Sequence, residues 1–158
     1  MIDAHTMRQI MGCFPTGVTV VAARDAGGMP FGLTVNSLTS VSLDPPMVLV
    51  CIDCEASSHD RLISASSFTV SVLSGEQVTL ARRFASEPST GRFTGVDWQT
   101  VASGDPVLDG AVAWLSCARE SVYGAGDHSI VLGRVEAGGA SGAHALAFYR
   151  GNFVRMSP

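Results

Sequence analysis

The amino-acid sequence predicts a mainly β fold, a barrel whose ends are covered by a few short helices. Three observations carry this expectation. Seventeen glycines and seven prolines punctuate short runs rich in Val, Thr and Ser, the pattern of strands separated by turns. Some of those runs alternate apolar and polar residues, as FTVSVL does at 68–73. Helical spacing is confined to two or three short stretches between strands, with no internal repeat or low-complexity tract.

Residues 3–13 place Met7, Ile10 and Met11 on one helical face, and Phe14-Pro15 ends that helix. GVTVVAAR (17–24) and MPFGLTV (29–35) form a hairpin across the tight Asp25-Ala26-Gly27-Gly28 stretch. Asn36-Ser37 is a polar break, and Asp44-Pro45-Pro46 introduces MVLVCI (47–52), whose unbroken apolar character reads as a buried central strand. Ser57 and Ser58 are placed to cap a helix running to about Ser66, with Leu62, Ile63 and the Arg61 stem inward. After the 68–73 strand, Ser74-Gly75-Glu76-Gln77 has capping-box spacing for a helix ending near Ser86. Residues 87–110 are rich in Pro, Ser, Thr and Gly and read as a surface run anchored by Phe93 and Trp98. Two long strands, about 112–122 and 128–137, are joined by Tyr123–Asp127, and a Gly-Ala-rich linker (138–145) leads to a final strand-turn-strand in ALAFYRGNFVRM.

Length and composition bound the function. A chain of 158 residues fits a single domain (1–158) and can bury about two-thirds of its unfolded surface. Hydrophobic residues make up 46% and charged residues 15%, against about 25% charged in an average soluble protein, so some apolar surface is expected to be covered by a partner subunit. A formal charge of −4 with scattered basic residues offers no field for nucleic acid. All ten basic residues are Arg, which excludes a lysine Schiff base and leaves phosphate to Arg, hydroxyls or backbone N–H groups. Without an apolar stretch of about 18 residues or a signal-peptide layout, a cytoplasmic, non-membrane protein is expected. Cys51 and Cys54 form one CxxC without a second ligand pair, so a structural thiol role is favoured over a zinc or redox site.

The usual catalytic signatures are missing: no G-x-S-x-G elbow, no i, i+4 pair among the four histidines, no G-x-G-x-x-G opening a helix and no P-loop. What remains are polar clusters at strand ends: Pro15-Thr16-Gly17, Thr34-Val35-Asn36-Ser37, Asp53 with Ser57-Ser58, Arg82-Arg83-Phe84, and Gly126-Asp127-His128. Each alone has an ordinary structural reading as a turn, a cap or a solvated face.

Three of these clusters fall within PTGVTVV (15–21), TVNSLTSVSLDPPMVLV (34–50) and AGDHSIVLGRV (125–135), which with SASSFTVSVL (64–73) and FTGVDW (93–98) make an ordered series that resembles the short-chain flavin reductase family. Those enzymes are the reductase components of two-component flavin-dependent monooxygenases. The resemblance runs from Met7 to about Arg155. It implies a split β-barrel of the Greek-key, FMN-binding type, a homodimer with the flavin site near the subunit interface, and hydride transfer from NADH or NADPH to non-covalent FMN or FAD. It also implies a partner monooxygenase that receives the reduced flavin.

By the same resemblance, Thr34, Val35, Asn36 and Ser37 contact the isoalloxazine ring, and Cys51, Ile52 and Asp53 line the next stretch of the flavin. Ser57 and Ser58 face its ribityl phosphate, where a helix N-terminus favours an anion, and Arg83 and Phe84 meet the phosphate side. His128 lies beside the nicotinamide, and Tyr149-Arg150-Gly151 matches a stretch that contacts the dinucleotide. Many relatives carry a Lys soon after the strand equivalent to 47–53, where this chain has Cys54-Glu55, so phosphate charge falls to Arg and hydroxyls, which leaves Arg82 against Arg83, and FMN against FAD, open. Hydride transfer needs no protein nucleophile, so the absence of an acid-base pair fits this chemistry. The alternatives are a flavin carrier of the same fold without nicotinamide access and a redox or metal module on Cys51 and Cys54.

Overall fold

The computed structural model describes residues 1–156. Helix α1 (Ala4–Gly12) starts at Asp3, whose carboxylate accepts the Thr6 N–H at 2.7 Å and so satisfies one of the orphan donors of the first turn. Then follow β1 (Thr16–Gly17), β2 (Thr19–Arg24), β3 (Pro30–Val35), β4 (Thr39–Leu43), β5 (Pro46–Asp53), α2 (His59–Ser64), β6 (Ser67–Val72) and α3 (Val78–Ser86). The C-terminal half adds β7 (Trp98–Thr100), β8 (Pro106–Leu108), β9 (Ala113–Ala125), β10 (His128–Ala140), β11 (Leu146–Tyr149) and β12 (Asn152–Arg155).

Seven strands form one antiparallel sheet in the order β3-β2-β6-β9-β10-β5-β4. The sheet curls without closing: β3 and β5 come into contact but share no ladder, which is the split in the barrel. Inside the curl, Phe31, Leu33 and Val35 of β3 pack with Val48, Val50 and Ile52 of β5, Phe68 and Val70 of β6, and Leu62 of α2. A second core lies on the outer face of β2, where Val20 and Ala22 meet Ala81 and Phe84 of α3, Leu108 of β8 and Leu146 of β11. Strand β2 is therefore buried on both faces, which is why its sequence does not alternate along its length.

Several expectations are corrected. Strand β5 is not a fully buried central strand: Val48, Val50 and Ile52 point into the core while Met47, Leu49 and Cys51, on its opposite face, stay half-exposed. Strand β4 was not expected, since its Val41 and Leu43 face outward and its residues are mostly exposed. The 87–110 segment is less superficial than its composition suggests. Pro106, Val107 and Leu108 are buried in β8, although Phe93 and Trp98 do anchor the segment through edge-to-face contacts with Phe84 and with each other.

The β9–β10 connection shrinks from five residues to the two-residue turn Gly126-Asp127, with Gly126 at φ 66°. At its other end β10 runs on through Gly138 and Gly139. A Cβ at Gly138 would come within 2.9 Å of the Trp114 carbonyl, and one at Gly139 within 2.9 Å of its indole nitrogen, so glycine lets the strand pass there. Ser58 occupies the N-cap position of α2 without capping it, and α3 begins one turn after Ser74, with Gln77 at its N-cap. The Gln77 side-chain amide oxygen Oε1 still reaches back to accept the Ser74 N–H at 3.0 Å.

Candidate functional site

The curl that brings β3 against β5 also brings their C-terminal ends to one rim, and an open cleft of about 440 Å³ lies there. Thr34 and Val35 line it from β3, Asn36 and Ser37 from the residues just after it, Cys51 and Asp53 from β5, Ser57 from the turn before α2, Phe84 from α3, and His128 from the start of β10. Much of the polar capacity of these side chains is spent on the scaffold. The Thr34 hydroxyl donates to the Ala81 carbonyl at 2.7 Å and ties β3 to α3. The Ser37 hydroxyl accepts the Cys51 N–H and donates to the Cys51 carbonyl, both at 2.9 Å, and so extends the barrel wall past the end of β3. Asp53 accepts the Glu55 N–H at 2.8 Å and shapes the turn. Asn36 is exposed at the rim.

His128 is partly exposed and shares a 2.7 Å contact between its Nδ1 and the Asp127 carboxylate. The hydrogen bond from His128, and then its charge, hold Asp127 below the ordinary carboxylate range. Because the carboxylate only accepts, Nδ1 carries the proton, and Nε2 has no hydrogen-bond partner among the described residues.

The strongest feature of the cleft is Arg92, which sequence reasoning missed. It is only 6% exposed yet lines the cleft. Its Nε donates to the Glu87 carbonyl at 2.7 Å, and Nη1 donates to the Gly32 carbonyl at 2.7 Å and the Ser58 hydroxyl at 3.3 Å. Among the described residues no carboxylate forms an ion pair with it and Nη2 has no protein partner. Burial lowers its pKa from the ordinary value, opposed by the charge of Glu87. A buried cation held by carbonyls, with no carboxylate in direct contact among the described residues, is set up to receive an anion. In sequence it sits in SEPSTGRF, whose loop-like composition hides it.

Six residues expected in the site stand elsewhere in this chain. Ile52 points into the barrel core, following the alternation of β5. Ser58 is fully buried behind the cleft, where its hydroxyl meets Arg92 and the Gly32 carbonyl. Arg83 turns to the far side of α3, donating to the Thr94 carbonyl at 2.9 Å and lying 3.7 Å from Glu87. Tyr149, Arg150 and Gly151 form the β11–β12 turn, where Arg150 at φ 49° donates its N–H to the Gly12 carbonyl at 3.0 Å. Arg150 and Gly151 line a separate depression beside α1, together with Arg8 and Cys13. Helix α2 has only six residues, so the positive charge at this cleft comes from Arg92 more than from a helix end.

The model of the family described as "Flavin reductase like domain" matches residues 11–157. A probable flavin reductase of Rhizobium meliloti (strain 1021) is 42% identical over 97% of this chain and 49% of its own length, so the chain spans about half of that relative. The reductase subunit of a flavin-dependent monooxygenase from Mycobacterium tuberculosis (strain CDC 1551 / Oshkosh) is 35% identical over 99% of this chain and 84% of its own. Among solved structures, the Streptomyces globisporus C-1027 NADH:FAD oxidoreductase in complex with NAD and FAD fragments superposes with a TM-score of 0.91 at 42% identity, covering 99% of this chain and 94% of that one.

Proposed function

The chain belongs to the flavin reductase like family, and on that footing we propose that it is an NAD(P)H-dependent flavin reductase, using NADH or NADPH to reduce non-covalently held FMN or FAD. The observation that carries this reading is Arg92: a buried guanidinium that no carboxylate among the described residues contacts as an ion pair, at a cleft whose size suits an organic cofactor. When bound, the two cofactors supply the hydride chemistry between them, and the protein is left to bind and align.

In this reading Thr34, Val35, Asn36 and Ser37 form the wall along the flavin ring. With the Thr34 and Ser37 hydroxyls engaged by the scaffold, recognition there falls to backbone groups and the exposed Asn36 amide. Cys51, Asp53 and Ser57 continue the wall toward Arg92, which takes the phosphate that Ser58 and Arg83 were expected to meet. His128 offers Nε2 at the mouth, where a nicotinamide carboxamide would supply a donor. Tyr149, Arg150 and Gly151 contact the dinucleotide away from the cleft, the last two from the depression beside α1.

The working assembly is a homodimer, supported by the outward apolar face of α1 and the exposed Leu43. Reduced flavin passes to a partner monooxygenase, as expected of a relative of a monooxygenase reductase subunit. The location is cytoplasmic, supported by four free cysteines; no helix among the described residues is long and apolar enough to cross a membrane. Steady-state oxidation of NADH and NADPH with FMN, FAD and riboflavin as acceptors tests the function. Turnover with a flavin acceptor is expected, and tight flavin binding without turnover would turn the reading to a carrier.

A further inference from the structure

Helix α2 begins without a cap of its own, since the Ser58 hydroxyl makes no bond to the helix backbone. What fixes it are two outward ties from consecutive residues. Ser58 is held by Arg92 and the Gly32 carbonyl on the β3 side. His59, 8% exposed, reaches the other way: its Nε2 lies 2.9 Å from the Ser129 hydroxyl on β10 and its Nδ1 lies 2.7 Å from the Asp60 carboxylate. Ser129 is itself 7% exposed. Since Asp60 can only accept, Nδ1 donates, and Nε2 shares the second hydrogen bond with the Ser129 hydroxyl.

Each partner of this buried pair lies next to cleft-lining sequence. Ser57, which lines the cleft, is two residues before His59, and His128 immediately precedes Ser129. Strand alternation sends His128 to the cleft and Ser129 inward. A backbone bond from the Cys54 N–H to the Asp127 carbonyl at 2.9 Å ties the same two segments a second time. Burying an imidazole and a hydroxyl against each other adds little net stability over apolar groups of the same shape, but it fixes one geometry.

We propose that His59 is a positioning residue for the reductase reaction, a brace that holds the turn carrying Ser57 and the Arg92 partner Ser58 in register with the strand carrying His128. The inference rests on the proposed function, because it assigns Ser57 and Arg92 to the flavin side of the cleft and His128 to the nicotinamide side. A misplacement of about 1 Å between reacting groups can cost up to about a hundredfold in rate, so a link between the two sides is where a remote side chain acts.

The test compares His59→Phe, His59→Gln, Ser129→Ala and the His59→Phe/Ser129→Ala double variant with the parent protein. Amide hydrogen exchange of the unliganded proteins is followed over 54–58 and 124–129, beside melting temperature, FMN affinity and the NADH kinetics. Loss of the brace is expected to speed exchange in both segments at once. It should also weaken FMN binding and raise KM for NADH, each by about threefold or more. The double variant should be no worse than the worse single one, and His59→Gln, whose amide can still meet Ser129, should recover part of the loss. A lowered melting temperature with unchanged exchange in these segments and unchanged FMN and NADH parameters would make His59 merely structural and overturn the proposal, as would wild-type behaviour of both single variants. Exchange needs no cofactor: a parent protein that fails to oxidise NADH would sink the proposed function, while simultaneous loosening of the two segments would still report the brace.

Discussion

Arg92 sets the terms at the scale of single residues. An Arg92→Leu variant should lose about 10- to 100-fold in FMN affinity, the value of a charge-assisted hydrogen bond, while riboflavin, which lacks the phosphate, should lose clearly less. Fluorescence titration with both flavins checks this, and equal losses for the two would move the phosphate away from Arg92. His128→Ala should act on the other side. FMN affinity should hold while kcat/KM for NADH falls roughly tenfold, ~1.4 kcal/mol of transition-state stabilisation. Wild-type NADH kinetics in that variant would remove the imidazole from the site. Nine of the residues named from sequence line the cleft, because the resemblance fixes which strand ends meet. Arg92 was not legible, because nothing in a loop-like stretch says that its chain will turn an arginine inward. Arg83 attracted the phosphate assignment by its place on a helix, and the helix faces it the other way.

Among elements, β9 and β10 show how much packing sequence pattern conceals. The two strands were legible from their apolar runs, yet their register slips at Leu132/Gly133 and at Val135/Ala137. At the first slip, a Cβ on Gly133 would lie 2.5 Å from Phe68 Cζ and 2.9 Å from Cys117 Cβ, both in the core. Gly133→Ala should therefore cost about 1–3 kcal/mol by overpacking, read from denaturant midpoints, and an unchanged midpoint would mean that Phe68 yields freely. The Cys117 thiol in this contact is pushed up to about 12 by burial, with the Glu136 charge adding to the shift. Its folded value is raised above the ordinary one near 9. The stability tied to the neutral thiol is thus complete below pH ~9 and is lost as pH rises toward ~12. Chemical unfolding of the parent and of Cys117→Ala across that range should show the steeper alkaline decline in the parent. Strand β4 escaped sequence reading for the opposite reason: it is an edge strand with its apolar residues outward, so burial left no mark on it.

At the scale of the whole molecule, α1 is the element that the chain itself does not explain. None of its nine residues is buried, and Met7, Ile10, Met11 and the following Phe14 present their apolar groups to the outside. An isolated helix shorter than about 12 residues is marginal in water, so a nine-residue helix needs a surface to lie on. Leu43, 88% exposed at the edge of the main sheet, is a second apolar group without a neighbour. Both would follow, as would the low charged fraction read from the sequence, if another copy of the chain covers them. Sedimentation equilibrium at micromolar concentration should then give twice the chain mass. Ile10→Glu combined with Met7→Glu, or Leu43→Asp alone, should shift that mass toward the monomer by placing a charge in a desolvated contact. If α1 gains its order from the partner, the same variants should lose helical signal in far-ultraviolet circular dichroism as they dissociate. A parent protein that sediments as a monomer would leave the α1 face to some other partner, and a dimer indifferent to both substitutions would place the interface on another surface.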